Sequence, residues 1–181
     1  MTFEKTVTLK DGRNCLLRNG VTSDGKAVLD VFNRTHEETD YLLTYSDENR
    51  FTASQEADFL QRKTDSANNV EIIAVVDDVV AGAAGIDALG MRDKIKHRAV
   101  FGIAITKEFW GLGIGKYLME ACIECAREAG YLQLELEVVA ENERAVEMYR
   151  RAGFIEYGRN PKGFRLRTGE YQELIDMRLE L

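Results

Sequence analysis

Phe101–Leu118, FGIAITKEFWGLGIGKYL, is the stretch that decides how this chain folds. An apolar run from Phe101 to Ile105 leads into a glycine-rich turn and then directly into an amphipathic helical pattern. Gly111, Gly113 and Gly115 carry no Cβ, so a ligand can approach the main chain closely and meet several N–H groups at once. The helix that follows adds its own unpaired N–H groups and the positive end of its dipole. The segment is therefore expected to hold a phosphate or pyrophosphate.

Two familiar phosphate loops do not fit. A P-loop needs G-x-x-x-x-G-K-[ST], but Gly115-Lys116 is followed by Tyr117 and the first glycine position holds Trp110. A dinucleotide fingerprint beginning at Gly111 and Gly113 meets Lys116 at its third glycine position, and such a fingerprint usually opens its domain. A plain strand-to-helix turn remains an alternative on this loop alone.

The next segment narrows the choice. Leu132–Val139 alternates apolar and polar residues as a half-buried strand does. Ala140–Phe154, AENERAVEMYRRAGF, follows it. Asn142 suits the N-cap of a short helix with apolar positions Ala145, Val146, Met148, Tyr149 and Ala152, and Gly153 is its stop signal.

Taken together, these residues resemble the GNAT superfamily of N-acetyltransferases. Its phosphate loop, [QR]-x-x-G-x-[GA], is matched at Gly113 and Gly115, with Trp110 in the [QR] position. Its second motif, N-x-x-A-x-x-x-Y-x-x-x-G-F, is met by Asn142, Ala145, Tyr149, Gly153 and Phe154 at every spacing. Gly169, Tyr171 and the Met177–Leu179 strand resemble members that acetylate amino groups of proteins, polyamines or small amines.

The resemblance implies a single acetyltransferase domain over residues 1–181 that uses acetyl-CoA as co-substrate, without a metal. It implies direct transfer to a primary amine in a ternary complex. Trp110, Gly111, Gly113, Ile114, Gly115 and Lys116 would hold the pyrophosphate, and Asn142 would cap its helix or touch the cofactor. Main-chain groups of Ile103 and Ile105 would pair with the pantetheine arm, although both residues also suit ordinary core strand positions. Tyr149 would be the general acid toward the leaving thiolate, since a phenol stays protonated at neutral pH.

Related sequences often carry a Glu in the strand before the loop, where this chain has Val100. The base is therefore open among Glu37, Glu38, Glu71, Asp87, His36 and His97, or a water chain to one of them. The same substitution keeps a catalytically weak acyl-CoA-binding module as the alternative. Phe32, Tyr41, Tyr45 and Phe51, mixed with Glu37, Glu38, Asp47 and Glu48, are candidates for an amine pocket or for core and rim positions. A homodimer is an expectation for such a fold, with no interface specified.

Composition bounds the rest. The chain has 181 residues and a formal net charge of −7, which argues against nucleic acid as a partner because phosphate recognition needs a basic face. No run is apolar and long enough for a membrane span, and the N-terminal MTFEKTVTLK lacks the apolar core of a signal peptide, so a cytoplasmic location is expected. Cys122 and Cys125 form a C-x-x-C inside a helical pattern with no second pair, and suit small packing positions better than zinc.

Along the chain the pattern predicts a hairpin about Asp11-Gly12, helices from about Thr22 to Thr35 and Ser54 to Thr64, and strands Val70–Val76 and Val79–Ile86 about Asp77-Asp78. A strand Arg98–Ile105, a loop at Pro161–Gly163 and a closing strand Tyr171–Glu180 complete it. The order of elements predicts an α/β fold around a mixed sheet, and the resemblance implies a mostly antiparallel central sheet flanked by helices, an acyl-CoA N-acyltransferase-like fold.

Overall fold

A computed structural model describes residues 1–181. Strands β1 (Glu4–Thr8) and β2 (Asn14–Asn19) form the opening hairpin. Helices α1 (Gly25–Glu38) and α2 (Ala53–Asp65) follow. Next come β3 (Val70–Val76), β4 (Val79–Ala88) and β5 (Arg98–Ile105), then α3 (Ile114–Glu128). The chain ends with β6 (Gln133–Val139), α4 (Glu143–Arg151), β7 (Ile155–Arg165) and β8 (Tyr171–Glu180). The strands make one sheet of eight in the order β1-β2-β3-β4-β5-β6-β8-β7. All neighbours are antiparallel except β5 and β6.

Local chemistry sets the boundaries. Asp77 and Asp78 both take positive φ, 50° and 63°, as the two central residues of a tight hairpin must if its twist is to match the flanking strands. Thr52 caps α2 by accepting from the Gln55 N–H at 3.3 Å, while the Gln55 side chain accepts from the Thr52 N–H at 2.9 Å. Gly153, at φ 97°, ends α4 and lets the Phe154 N–H reach back to the Tyr149 carbonyl oxygen at 3.0 Å.

One expectation is corrected. Pro161–Gly163 is not a loop between strands but a bulge within β7, between the pairs Asn160–Leu174 and Phe164–Gln172. β7 is the last strand of the sheet. Proline, which has no N–H to give, is tolerated at such an edge and at a bulge.

The sheet has two unlike faces. Alternation along the strands sends Ile72, Ala74, Ala99, Phe101 and Met177 toward α3 and α4, where they join the main core with Leu118, Cys122, Val146 and Tyr149. Ile73 and Ala83 point the other way, toward Val28 of α1 and Leu60 of α2. Cys122 and Cys125 are buried free thiols on the core side of α3, and burial pushes both up from their ordinary values. No helix is long and apolar enough to cross a membrane.

Candidate active site

β5 and β6 part company soon after they meet. They pair only at Arg98–Gln133, Ala99–Leu134 and Val100–Glu135. Beyond that point β5 stays paired with β4 through Ile105–Gly82, while β6 leans away to pair with β8 through Val139–Leu174. Thr106 N–H donates to the Ala81 oxygen at 3.1 Å. By antiparallel alternation, the main-chain groups of Ile105 and Ile103 therefore face away from β4 and into the gap.

The gap opens into a cleft of about 1450 Å³. Ile103 and Ile105 line it from β5, and Trp110, Gly111, Gly113, Ile114, Gly115 and Lys116 line it from the turn into α3. Asn142 and Tyr149 line it from α4. The residues expected to hold the cofactor thus border one space with Tyr149, whereas none of the candidate bases lines it. Thr35, Thr39, Tyr41 and Leu42, from the end of α1 and the segment after it, close its other side. The cleft consequently runs through the sheet, from the α3/α4 face to the α1 face.

The turn is built for an anion. Gly111 and Gly113 sit at φ 86° and 98°, conformations that cost an L-residue energy. None of the N–H groups from Gly111 through Lys116 has a main-chain partner, and the first bond inside the helix is Tyr117 N–H to the Gly113 oxygen at 3.3 Å. Gly115 lies close to its surroundings, since a Cβ there would sit 3.0 Å from the Met148 sulfur. These free donors, together with the helix dipole, suit a pyrophosphate.

Trp110 stands in the [QR] position and is used differently. Its indole N–H donates to the Ile105 carbonyl oxygen at 2.6 Å, so that oxygen is engaged within the chain and the N–H of Ile105 is the group left toward the gap. The guanidinium of Arg144 lies 5.2 Å from the centre of its ring. Asn142 caps α4, accepting from the Ala145 N–H at 3.3 Å.

Tyr149 is 6% exposed. Its ring meets Phe101 edge-on at 6.1 Å and Phe154 at 5.8 Å. Burial, with no contribution from any charge or hydrogen bond, pushes its phenol well above the ordinary value. The hydroxyl is thus held firmly protonated at the wall of the cleft.

The profile of the acetyltransferase (GNAT) family matches residues 30–154. The chain belongs to that family. It is an acetyl-CoA-dependent N-acetyltransferase with the acyl-CoA N-acyltransferase fold. The L-amino acid N-acetyltransferase AaaT of Escherichia coli (strain K12) is 31% identical over 118 residues, or 65% of this chain and 72% of that protein. The GNAT-family acetyltransferase of Streptococcus pneumoniae superposes with a TM-score of 0.88 at 27% identity, covering 92% of this chain and 99% of the other. For yncA of Salmonella typhimurium, solved with its cofactor acetyl-CoA, the TM-score is 0.82 at 17% identity, over 93% of this chain and 94% of the other.

This acetyltransferase also carries features that its motifs do not announce. Lys10, in the β1–β2 turn, lines the cleft, and its N–H donates to the Leu112 oxygen at 3.1 Å, tethering the hairpin to the glycine turn. No local pattern marks a residue brought in from a hundred positions away. On the α1 face, Arg167 ties the β7–β8 connection to the segment after α1. Its guanidinium grips Asp47 at 2.6 and 2.9 Å and lies 4.1 Å from the centre of the Tyr45 ring.

The candidate bases separate clearly. Glu38 accepts from the Lys107 N–H at 2.7 Å and pairs with Arg34 at 3.0 Å. His36 stacks on Phe32 at 3.9 Å, with Nδ1 2.7 Å from the Phe32 oxygen. The backbone of His97 binds Leu132 and Gln133 at the closed end of the β5–β6 junction, away from the gap. Asp87 pairs with Lys63 at 2.5 Å. Glu71 has no hydrogen-bond donor of its own, and its nearest cation is Lys63 at 3.9 Å.

Proposed function

We propose that this enzyme, acting as a single domain over residues 1–181, moves the acetyl group of acetyl-CoA directly to a primary amine while both substrates are bound. The observation that carries this reading is the through-going cleft. Its α3 end offers unpaired N–H donors to a pyrophosphate, and its α1 end opens beside the gap for a second substrate. Acetyl-CoA supplies an acetyl thioester; the protein's part is to orient it and to manage charge and protons.

In this reading Trp110 to Lys116, with Asn142 nearby, hold the phosphate end, and the free main-chain groups of Ile103 and Ile105 take the arm. An N–H of that strand stabilises charge on the acetyl oxygen. Tyr149 donates its proton to sulfur as the thiol leaves. The acceptor class we favour is an amino group of an amino acid or peptide, supported by the E. coli relative that acts on L-amino acids, with polyamines and other small amines as alternatives. The expected location is cytoplasmic.

Calorimetric titration with acetyl-CoA and CoA, followed by thiol release across L-amino acids, an alanine-initiated peptide, spermidine and aminoglycosides, tests the proposal. Binding of both nucleotides with release for at least one amine is expected. Absence of binding would reduce the glycine turn to a plain connection.

A further inference from the structure

Strand register puts a buried carboxyl beside the place where β5 and β6 separate. Glu71 of β3 lies opposite Gly85 of β4, and Gly85 lies opposite Gly102 of β5. All three share the α1/α2 face, together with Ile73 and Ala83. Two glycines in that row leave the sheet surface bare from Glu71 to the gap. The carboxyl uses the first of them, since a Cβ on Gly85 would collide with Glu71 Oε2. Above Gly102 nothing lies within 4 Å of where a Cβ would stand, and both Gly102 and Val100 are exposed.

Adjacent strands lie about 4.8 Å apart, so a carboxyl lying over Gly85 is about one strand spacing from the Gly102 row. A single water spans such a distance with two hydrogen bonds. Ile103, whose main-chain groups face the gap, is the next residue. We propose that Glu71 takes the proton from the acceptor amine through one water lying over Gly102. This inference rests on the acetyl-transfer reading above and adds to it the proton acceptor that Val100 does not supply.

The surroundings suit the task. Glu71 is buried apart from 18% of its side chain. Desolvation raises its pKa from 4.5 to about 7, Lys63 of α2 opposes the rise, and Asp87 of β4 and Glu56 of α2 add to it. Cys122 of α3 lies on the opposite side of the sheet, with its thiol kept neutral by burial. β5 presents no ionisable side chain in this row. Lys63 is held by Asp87 and by the Ile86 oxygen at 3.3 Å, which leaves Glu71 free to gain and lose a proton. A base with a pKa near the working pH is the effective kind.

The protons balance. The ammonium passes one proton through water to Glu71, and the nitrogen lone pair forms the C–N bond. The C–S bond breaks with its electrons going to sulfur, which takes the Tyr149 proton. The second nitrogen proton restores Tyr149 by way of solvent, and Glu71 releases its own to bulk water.

The test is the pH dependence of kcat/KM for spermidine and for an alanine-initiated peptide, in the wild type and in Glu71→Gln, Glu71→Asp and Gly102→Ala. The wild type should show an acid limb near pH 7. In Glu71→Gln that limb should give way to a steady rise up to the amine's own pKa, with a loss of about 10²-fold at pH 7.5 that closes toward pH 9.5. Glu71→Asp should keep the limb at a reduced rate. Gly102→Ala adds a methyl in open space and so keeps the fold; it should repeat the loss at neutral pH by displacing the water, even if Glu71→Gln fails to fold. A Glu71→Gln deficit equal at every pH, or an unchanged acid limb, would overturn the assignment while leaving the transferase intact. A wild type that transfers to neither amine, nor to any in the wider panel, would overturn the reading beneath it as well.

Discussion

The indole nitrogen of Trp110 donates to the carbonyl oxygen of Ile105 at 2.6 Å, fastening the start of the glycine turn to the end of the strand that borders the gap. One bond thereby ties together the two places that, in the proposed reading, grip a single cofactor. Trp110→Phe keeps an aromatic face for the Arg144 guanidinium, on a smaller ring, but removes the donor. One net hydrogen bond is worth about 1 kcal/mol, so acetyl-CoA should bind about fivefold more weakly with kcat nearly unchanged. Steady-state kinetics with acetyl-CoA as the varied substrate measure this directly.

Tyr149→Phe removes the hydroxyl and nothing else. The ring contacts with Phe101 and Phe154 survive, and the hydroxyl contributes no bond that folding depends on. The melting temperature and the acetyl-CoA dissociation constant should therefore stay within error, while kcat falls by about 10²-fold. Wild-type turnover in this variant would remove Tyr149 from the proton chemistry.

Arg167→Ala should act on the other substrate. The Arg167–Asp47 pair is solvent-exposed on both sides, and exposed pairs contribute only about 0.2–1 kcal/mol to stability. The melting temperature should move little. The segment from Thr39 to Asp47 loses the guanidinium's grip and keeps only the Arg167 N–H bond to the Tyr45 hydroxyl at 3.0 Å, so KM for the amine should rise with acetyl-CoA affinity unaffected. A matching rise in Asp47→Ala, with no further rise in the double variant, would show that the pair acts as one unit.

Glu71 also leaves a mark on stability. Its pKa is raised in the folded protein, to about 7 from 4.5, so between those values the folded chain binds more protons than the unfolded one. Stability must then fall as pH rises through that window. Gln cannot ionise, so Glu71→Gln should gain on the wild type as pH rises from about 5 to 8, by on the order of 1–3 kcal/mol. Thermal denaturation of both proteins at several pH values reads the difference, and parallel curves would refute it.

The sheet and the cofactor end of the cleft were legible in the sequence because their signals are local. Alternation gave the strands, and glycine spacing gave the turn from β5 into α3. The spacing from Asn142 to Phe154 gave the helix that carries Tyr149. The features that escaped notice depend on distant pairing. Lys10 meets the turn because the β1–β2 hairpin packs on it, and Arg167 meets Asp47 only because the β7–β8 connection lies beside the segment after α1. Glu71 was one acid among several until strand register lined it up with two glycines. Pro161 read as a break because its strand's edge position, which spares it the need for a donor, is a property of the whole sheet.

Five strands, β1-β2-β3-β4-β5, hang from the other three, β6-β8-β7, by a ladder of three residue pairs. Beside those rungs, Arg98 grips both oxygens of Glu135 from the neighbouring strand. The sheet is therefore built as two leaves joined along a short seam, and the Arg98–Glu135 clasp at that seam lies outside the lining of the cleft. Loosening the clasp would change the gape of the slot without touching its walls, so both substrates would feel it together.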